Sequence, residues 1–251
     1  KEILQQREIM LIYKQDGKPL DEKHMPLRVA VPDERSMYWV GNVVGMEIVK
    51  EEIISLTKVI LLESSYELLT EEDYTYYESV DKAIKTEELL AQFASVNETD
   101  EISAKCVDGL EKNEKKEVFL TGYIKTTGEY APLFLSPELP KGMHMKELLW
   151  FTNAENVFLS IEQGLVKCAD ELVTVEDNTG ISLKSIEDLI GLKKGEKYKL
   201  TAADGYNAEI SREDFEKGII YPRKKGGYST AFEGLPKNTK IKGILSIEVI
   251  E

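Results

Sequence analysis

Residues 108–149 read DGLEKNEKKEVFLTGYIKTTGEYAPLFLSPELPKGMHMKELL, and residues 204–245 read DGYNAEISREDFEKGIIYPRKKGGYSTAFEGLPKNTKIKGIL. Set ninety-six positions apart, Asp108-Gly109 falls on Asp204-Gly205, Phe119 on Phe215, Gly122 on Gly218 and Ile124 on Ile220. Leu139-Pro140-Lys141 falls on Leu235-Pro236-Lys237, and Lys146 and Leu149 fall on Lys242 and Leu245. A constant offset held through turn, charged and apolar positions marks two copies of one structural unit. It speaks to architecture before chemistry.

Each copy can be followed outward. Upstream, Glu87-Glu88-Leu89-Leu90 resembles Glu187-Asp188-Leu189-Ile190 at an offset of one hundred, so the linker to the Asp-Gly pair reads as four residues longer in the earlier copy. A short helix in each copy then leads into a strand, 101–107 or 197–203, with the alternation of Tyr198, Leu200 and Ala202 suiting one buried face. The Asp-Gly pair predicts a turn, because Gly tolerates positive φ and Asp can accept a hydrogen bond from its own backbone. An acidic helix or loop is expected over 111–119 and 207–217, then a strand at 122–125 or 218–221 and a Gly-bearing turn. A Leu-Pro-Lys loop and a final apolar strand, 145–151 or 241–250, close each copy.

A third, divergent copy stands at the front. Leu11-Ile12-Tyr13-Lys14 resembles Ile219-Ile220-Tyr221-Pro222, and the stretch from Val44 to Val49 resembles that from Leu245 to Ile250. This copy has no first half, so the sequence is expected to begin inside a repeat. Either it is a piece of a longer protein, the reading we favour, or another chain supplies the missing strands. The units are then a truncated repeat over 1–51, a second over 52–152 and a third over 153–251. The stretch from Glu63 to Asp100 belongs to the second unit and carries Tyr66, Tyr74, Tyr76 and Tyr77. It reads as an amphipathic helix with a solvated acidic face, or more sharply as an aromatic platform for a ligand.

The bulk numbers exclude several classes. A formal charge of −14 argues against nucleic acid or an anionic membrane as a partner, since phosphate neutralisation needs clustered Lys and Arg. The basic runs, Lys112 to Lys116 and Arg223-Lys224-Lys225, are interleaved with acids or sit in a Gly-rich turn. The longest apolar run, 53–62, is broken by Ser55, Thr57 and Lys58, so no membrane insertion is expected. Two cysteines sixty-two residues apart and two histidines outside any ligand spacing assign no metal ligand. No Walker loop, GxGxxG, GxSxG or calcium loop occurs, and no residue is assigned a catalytic role.

One part of the chain resembles a known family. Leu11-Ile-Tyr-Lys-Gln-Asp-Gly-Lys-Pro-Leu20, followed by His24-Met-Pro-Leu-Arg-Val-Ala-Val-Pro32, is similar to the closing part of the sulfite oxidase-type molybdopterin-dependent oxidoreductase domain. Ala203-Asp204-Gly205-Tyr206 fits a turn of the same family. The resemblance implies an α+β fold, a tandem array of mixed, mostly β, sulfite-oxidase-like molybdopterin-binding-type domains. It further implies a molybdenum held by pterin dithiolene, oxo groups and one protein Cys thiolate, performing two-electron oxygen-atom chemistry. His24 and Arg28 are the family-like polar positions, and so the candidate cofactor-binding residues. Read without the family, His24 is a loop residue and Arg28 a strand residue paired with a carboxylate.

After Pro32 the family carries Gly and Lys before a Trp. This chain has Asp33-Glu34 opening that loop, and Tyr38 and Gly41 where Lys is expected. Cys106 falls on Ala202 of the last copy, which suits a small buried side chain, and Cys168 has the same reading. The expectation is therefore a divergent, molybdopterin-oxidoreductase-like repeat protein whose present stretch is non-catalytic, made of binding or structural modules and holding no cofactor itself. The alternative is part of an active molybdopterin-dependent oxidoreductase whose metal-ligand Cys lies upstream of Lys1. By family analogy alone the location is extracytoplasmic or at the cell surface.

Overall fold

The computed structural model describes residues 9–32, 39–46 and 54–250. By its internal contacts the chain divides into two compact units, Lys1–Ile53 and Ile54–Glu251. In the first, β1 (Met10–Ile12), β2 (Lys14–Gln15), β3 (Lys18–Pro19) and β4 (Arg28–Ala30) form two antiparallel pairs, β1 with β4 and β2 with β3. Asp16 and Gly17 take φ of 52° and 75° between β2 and β3, the mirror-image turn that matches strand twist in a two-residue hairpin. The loop from Asp33 to Tyr38 and the closing residues Glu47 to Val49, both used in the sequence comparison, lie outside the described residues.

The second unit runs β5 (Lys58–Leu61), α1 (Leu62–Tyr66), β6 (Glu72–Tyr76), β7 (Ser79–Lys85), α2 (Thr86–Gln92), β8 (Glu101–Cys106), β9 (Glu111–Lys115), α3 (Lys116–Leu120), β10 (Tyr123–Lys125), β11 (Leu133–Leu135), a 3-10 turn (Lys141–Met143) and β12 (Leu148–Asn153). The same order then starts again with β13 (Asn156–Leu159), α4 (Ile161–Lys167), β14 (Val173–Val175), β15 (Asn178–Ser182), α5 (Leu183–Ile190), β16 (Lys197–Ala202) and β17 (Asn207–Ser211). It ends with α6 (Arg212–Phe215), β18 (Gly218–Pro222), β19 (Tyr228–Phe232), a 3-10 turn (Lys237–Thr239) and β20 (Ile244–Ile250). The one addition is a 3-10 turn at Ala169–Glu171. The fold is mixed α+β and mostly strand.

These two stretches share one body. The central sheet has the order β17-β16-β20-β5-β13-β12-β8-β9, and exchanging each strand for its counterpart reverses that list. The symmetry point is the parallel pair β5 and β13, with Val59 beside Val157 and Ile60 beside Phe158. Two four-stranded sheets, β11-β10-β7-β6 and β14-β15-β18-β19, supply apolar residues to opposite faces of the central sheet.

Burial explains the sequence of the central strands. Parallel strands covered on both faces read as continuous apolar runs, as Val59 to Leu62 and Val157 to Leu159 do. On β5, Ile60 enters the core of its own half, with Ile84, Ile124 and Phe134, whereas Val59 and Leu61 enter the other core, with Leu200, Ile220 and Phe232. β13 does the reverse: Leu159 faces its own half and Phe158 the other.

A bulge repeats this exchange at the closing strands. Leu148 pairs with Cys106 and Trp150 with Lys105, so Leu149 is the extra residue; Ile244 pairs with Ala202 and Ser246 with Thr201, so Leu245 is its equivalent. Leu149 lies in the core of the later half and Leu245 in that of the earlier half. Gly122 and Gly218 echo one another for a simpler reason: a Cβ at either would stand 2.5 or 2.3 Å from the ring of Phe134 or Phe232.

Three expectations need correction. The acidic stretch after each Asp-Gly turn is half strand: β9 and β17 pair back on β8 and β16 before the short helices begin. With a tight turn the chain reverses onto its own strand, and single inward residues, Glu114 and Ile210, suffice to bury the pleat. The Tyr-rich stretch is not one amphipathic helix, because Tyr74 and Tyr76 alternate along β6 of a hairpin. Finally, Lys85 and Ser182 hold the same place, each opposite the first or second residue of the next strand, Tyr123 or Ile219. The helices therefore correspond at an offset of ninety-seven, with Leu90 matching Glu187. The letter match at one hundred slipped by three residues, about one helical turn, which preserves the apolar pattern.

Because Leu149 is buried in the opposite half, Leu149→Ala is expected to cost about 2–5 kcal/mol of stability. Hydrogen exchange should show the loss of protection spreading to β16 amides such as Leu200. Loss confined to β8 and β12 would contradict the crossed packing.

Candidate functional site

A cleft of about 760 Å³ opens where the β6–β7 turn, the end of β10 and the loops around residues 130 and 141–146 converge. Its floor is Lys125, 1% exposed, at the last position of β10. The Lys125 Nζ donates to Asp81 Oδ2 at 2.9 Å and stands 5.4 Å from the centre of the Tyr76 ring. Asp81 also accepts from the Ser79 hydroxyl at 2.8 Å, and the Lys125 ammonium, then Ser79, hold its carboxyl below the usual range. A buried ammonium is tolerated here because it is paired.

The walls are tyrosines bearing lysines. Tyr77 occupies the hairpin turn with φ of 55° and is 64% exposed. Its ring packs edge-on against Tyr76 at 4.7 Å, and the Lys141 Nζ lies 3.9 Å from its centre. Tyr130 similarly carries the Lys146 Nζ at 3.8 Å. These are cation–π distances. Hydrogen bonding to Glu129 raises the Tyr130 phenol, with the Glu129 charge adding to it.

His144 follows the 3-10 turn. Its Nε2 is 3.3 Å from the Ser136 carbonyl oxygen, so Nε2 carries the proton, and Nδ1 accepts from the Tyr76 hydroxyl at 3.4 Å. Burial, opposed by hydrogen bonds to Ser136 and Leu139 and aided by the charges of Lys112 and Lys141, lowers its pKa below 6.5. A neutral imidazole therefore borders the cleft at pH 7.

The corresponding place in the other copy is closed. Tyr77 and Glu176 hold equivalent turn positions, at φ of 55° and 54°, and His144 and Lys240 each follow the equivalent 3-10 turn. There Lys240 Nζ and Glu176 Oε2 form an ion pair of 2.6 Å across the gap. Tyr221 stands in place of Lys125, Gly226 in place of Tyr130, and the Tyr206 hydroxyl donates to the Asn238 carbonyl at 2.7 Å. A shallower hollow of about 370 Å³ remains beside it, lined by Asp177, Tyr221, Arg223 and Lys225.

The residues singled out from sequence lie elsewhere. His24 bonds through Nδ1 to Asp21 in a turn of the front unit, and its ring backs onto Gly41, where a Cβ would come within 2.7 Å. Arg28 lies on β4 with its guanidinium 5.1 Å from the Trp39 ring, so an indole takes the place of the expected carboxylate among the described residues. Neither residue lines the cleft or the hollow.

The thiols do not fit a thiolate-bound metal. Cys106 is 2% exposed at the edge of the cleft, and burial, then Asp108 and Glu147, pushes its pKa up to about 12. Burial and then Glu171 also raise Cys168. Among the described residues no group of three or more His, Cys, Asp or Glu side chains is placed to hold a metal ion, and no helix is long and apolar enough to cross a membrane.

Comparison with protein-family models, with curated proteins and with solved structures finds no match for the chain. The site thus rests on its own geometry. Sequence reasoning reached the tyrosines of the hairpin but missed Lys125, Tyr130, Lys141, His144 and Lys146. The available signal was difference rather than likeness: positions 77, 125, 130 and 144 are where the copies part company within matched elements.

The lowered His144 pKa carries a pH signature. The unfolded chain takes up this proton more readily than the folded one, so the contribution to stability is full above pH 6.5 and is lost as pH falls through the folded pKa. Denaturation followed from about pH 7 to about pH 5 should show this loss, reduced in His144→Gln. An imidazole NMR titration midpoint at or above 6.5 would contradict the assignment.

Proposed function

We propose that this chain is a divergent, molybdopterin-oxidoreductase-like repeat protein whose present stretch acts by binding rather than by catalysis. The half spanning 54–153 carries a ligand cleft, and the half spanning 156–250 supports it structurally. The observation that carries this reading is the contrast between equivalent places: tyrosines, a buried lysine and a neutral histidine line one, and an ion pair spans the other. Exposed aromatic side chains with convergent polar groups in a cleft of this size mark a small-molecule site. The front-unit sequence run from Leu11 to Pro32 supports the kinship, and the matched element orders of the two halves support the repeat part of the reading.

Cys106 and Cys168 are buried among apolar side chains of the two cores, which supports reading them as small packing residues and so the non-catalytic half of the reading. Were the cofactor bound, it would supply two-electron redox chemistry. The other reading, an active oxidoreductase with its ligand Cys upstream of Lys1, rests on the same front-unit run and on His24 and Arg28.

Metal analysis of the protein purified from a molybdopterin-producing host tests the choice. Substoichiometric molybdenum is expected, with Cys106 and Cys168 both unreactive toward a thiol reagent at about pH 8 until the chain unfolds. One molybdenum per chain, lost in Cys106→Ser or Cys168→Ser, would overturn the binding reading for this stretch.

A further inference from the structure

The cleft has a mixed charge pattern that narrows what it can hold. The Lys141 and Lys146 ammonium groups contact tyrosine faces and have no carboxylate partner among the described residues. Elsewhere in this acidic chain Lys82, Lys105, Lys112, Lys217 and Lys240 each pair with Asp or Glu within 2.7 Å. The same lysines recur as Lys237 and Lys242 in the later half, but Glu176 and Gly226 stand there in place of the tyrosines. Single cation–ring pairs also occur in the front unit, Lys14 at Tyr13 and Arg28 at Trp39, but two of them, Lys141 at Tyr77 and Lys146 at Tyr130, line the one cleft.

Carboxylates line the same cleft. Glu78, Asp108 and Glu129 border it, and Asp81 lies beneath it on Lys125. A ligand carrying only negative charge would satisfy the lysines and meet repulsion from these groups. One that also carries hydroxyl donors would satisfy both. The aromatic geometry points the same way. Tyr76 and Tyr77 meet at 79°, leaving no parallel slot between them for a flat aromatic ring, while Tyr77 and Tyr130 stay partly exposed beside their lysines, which suits contact with the C–H side of a saturated ring. The Tyr76 hydroxyl and the neutral His144 add uncharged polar groups.

We propose that the cleft binds a carboxylated sugar, a uronate-type saccharide. Its carboxylate would sit between Lys141 and Lys146, its ring against Tyr77 or Tyr130 and its hydroxyls toward the acidic rim. This rests on the reading of the earlier half as a binding module, and it adds the ligand class.

Isothermal titration calorimetry with trigalacturonate, its methyl ester, 4-hydroxybenzoate and inorganic phosphate tests it. Trigalacturonate should bind, its neutral ester about tenfold more weakly or worse, and Lys141→Gln and Lys146→Gln should each weaken the acid by about tenfold. Lys237→Gln and Lys242→Gln, at the matched places, should leave binding unchanged, and circular dichroism should show all four exposed-site variants folded. Equal binding of acid and ester, or equal loss at Lys237 and Lys141, would overturn the proposal. If 4-hydroxybenzoate or phosphate bound in a Lys141-dependent way and trigalacturonate did not, the sugar assignment would fall and the binding module would stand. If no probe bound, and molybdenum loaded stoichiometrically, both readings would fall.

Discussion

Everything in the second unit depends on the parallel pairing of β5 with β13. These two strands carry the start of each half, lie side by side at the centre of an eight-stranded sheet, and are apolar on both faces. Since neighbouring residues of a strand point to opposite faces, each strand can serve only one core with half its side chains. The other half must be covered by the neighbouring copy. Val59 and Leu61 go to the later half and Phe158 to the earlier one, and the bulged Leu149 and Leu245 repeat the trade. Neither copy alone covers its own first strand. The duplication is therefore a condition of burial rather than two beads on a string.

This arrangement also frees the periphery to diverge. The sites at which the copies differ most in chemistry, the hairpin turn at 77 or 176 and the loop at 144 or 240, lie outside the shared strands β5 and β13. One version turned the gap into an ion pair, and the other kept it open with aromatic rings. A symmetric core with asymmetric rims lets one copy close its gap while the other keeps a cleft. Buried Lys125 illustrates the cost: it requires Asp81, whose own position is hemmed in by Gly128, where a Cβ would meet the carboxylate.

Much of the fold was legible because it rests on local signals. The Asp-Gly turns, the alternation of Tyr198, Leu200 and Ala202, and the Leu-Pro-Lys loops mark boundaries through short-range chemistry, and the structure has elements there. The strands β9 and β17 were read as helix or loop because charged edge strands lack the apolar alternation that announces a strand. The helix offset slipped because a one-turn shift keeps the same apolar face. The cleft was largely hidden: its lysines looked like ordinary surface charges, and its histidine looked solitary.

By itself the sequence determined that a unit is written twice, where its turns fall, and which residues are apolar enough to be buried. Only the tertiary structure decided which strand lies beside which, that the halves exchange side chains across one sheet, and that Tyr76, Tyr77, Lys125, Tyr130, His144 and Lys146 meet. The reason is physical. Turns and periodicity act between residues a few positions apart, whereas sheet order and cleft formation depend on contacts between residues up to about two hundred positions apart, such as those of β5 with β20, which only the assembled core can enforce.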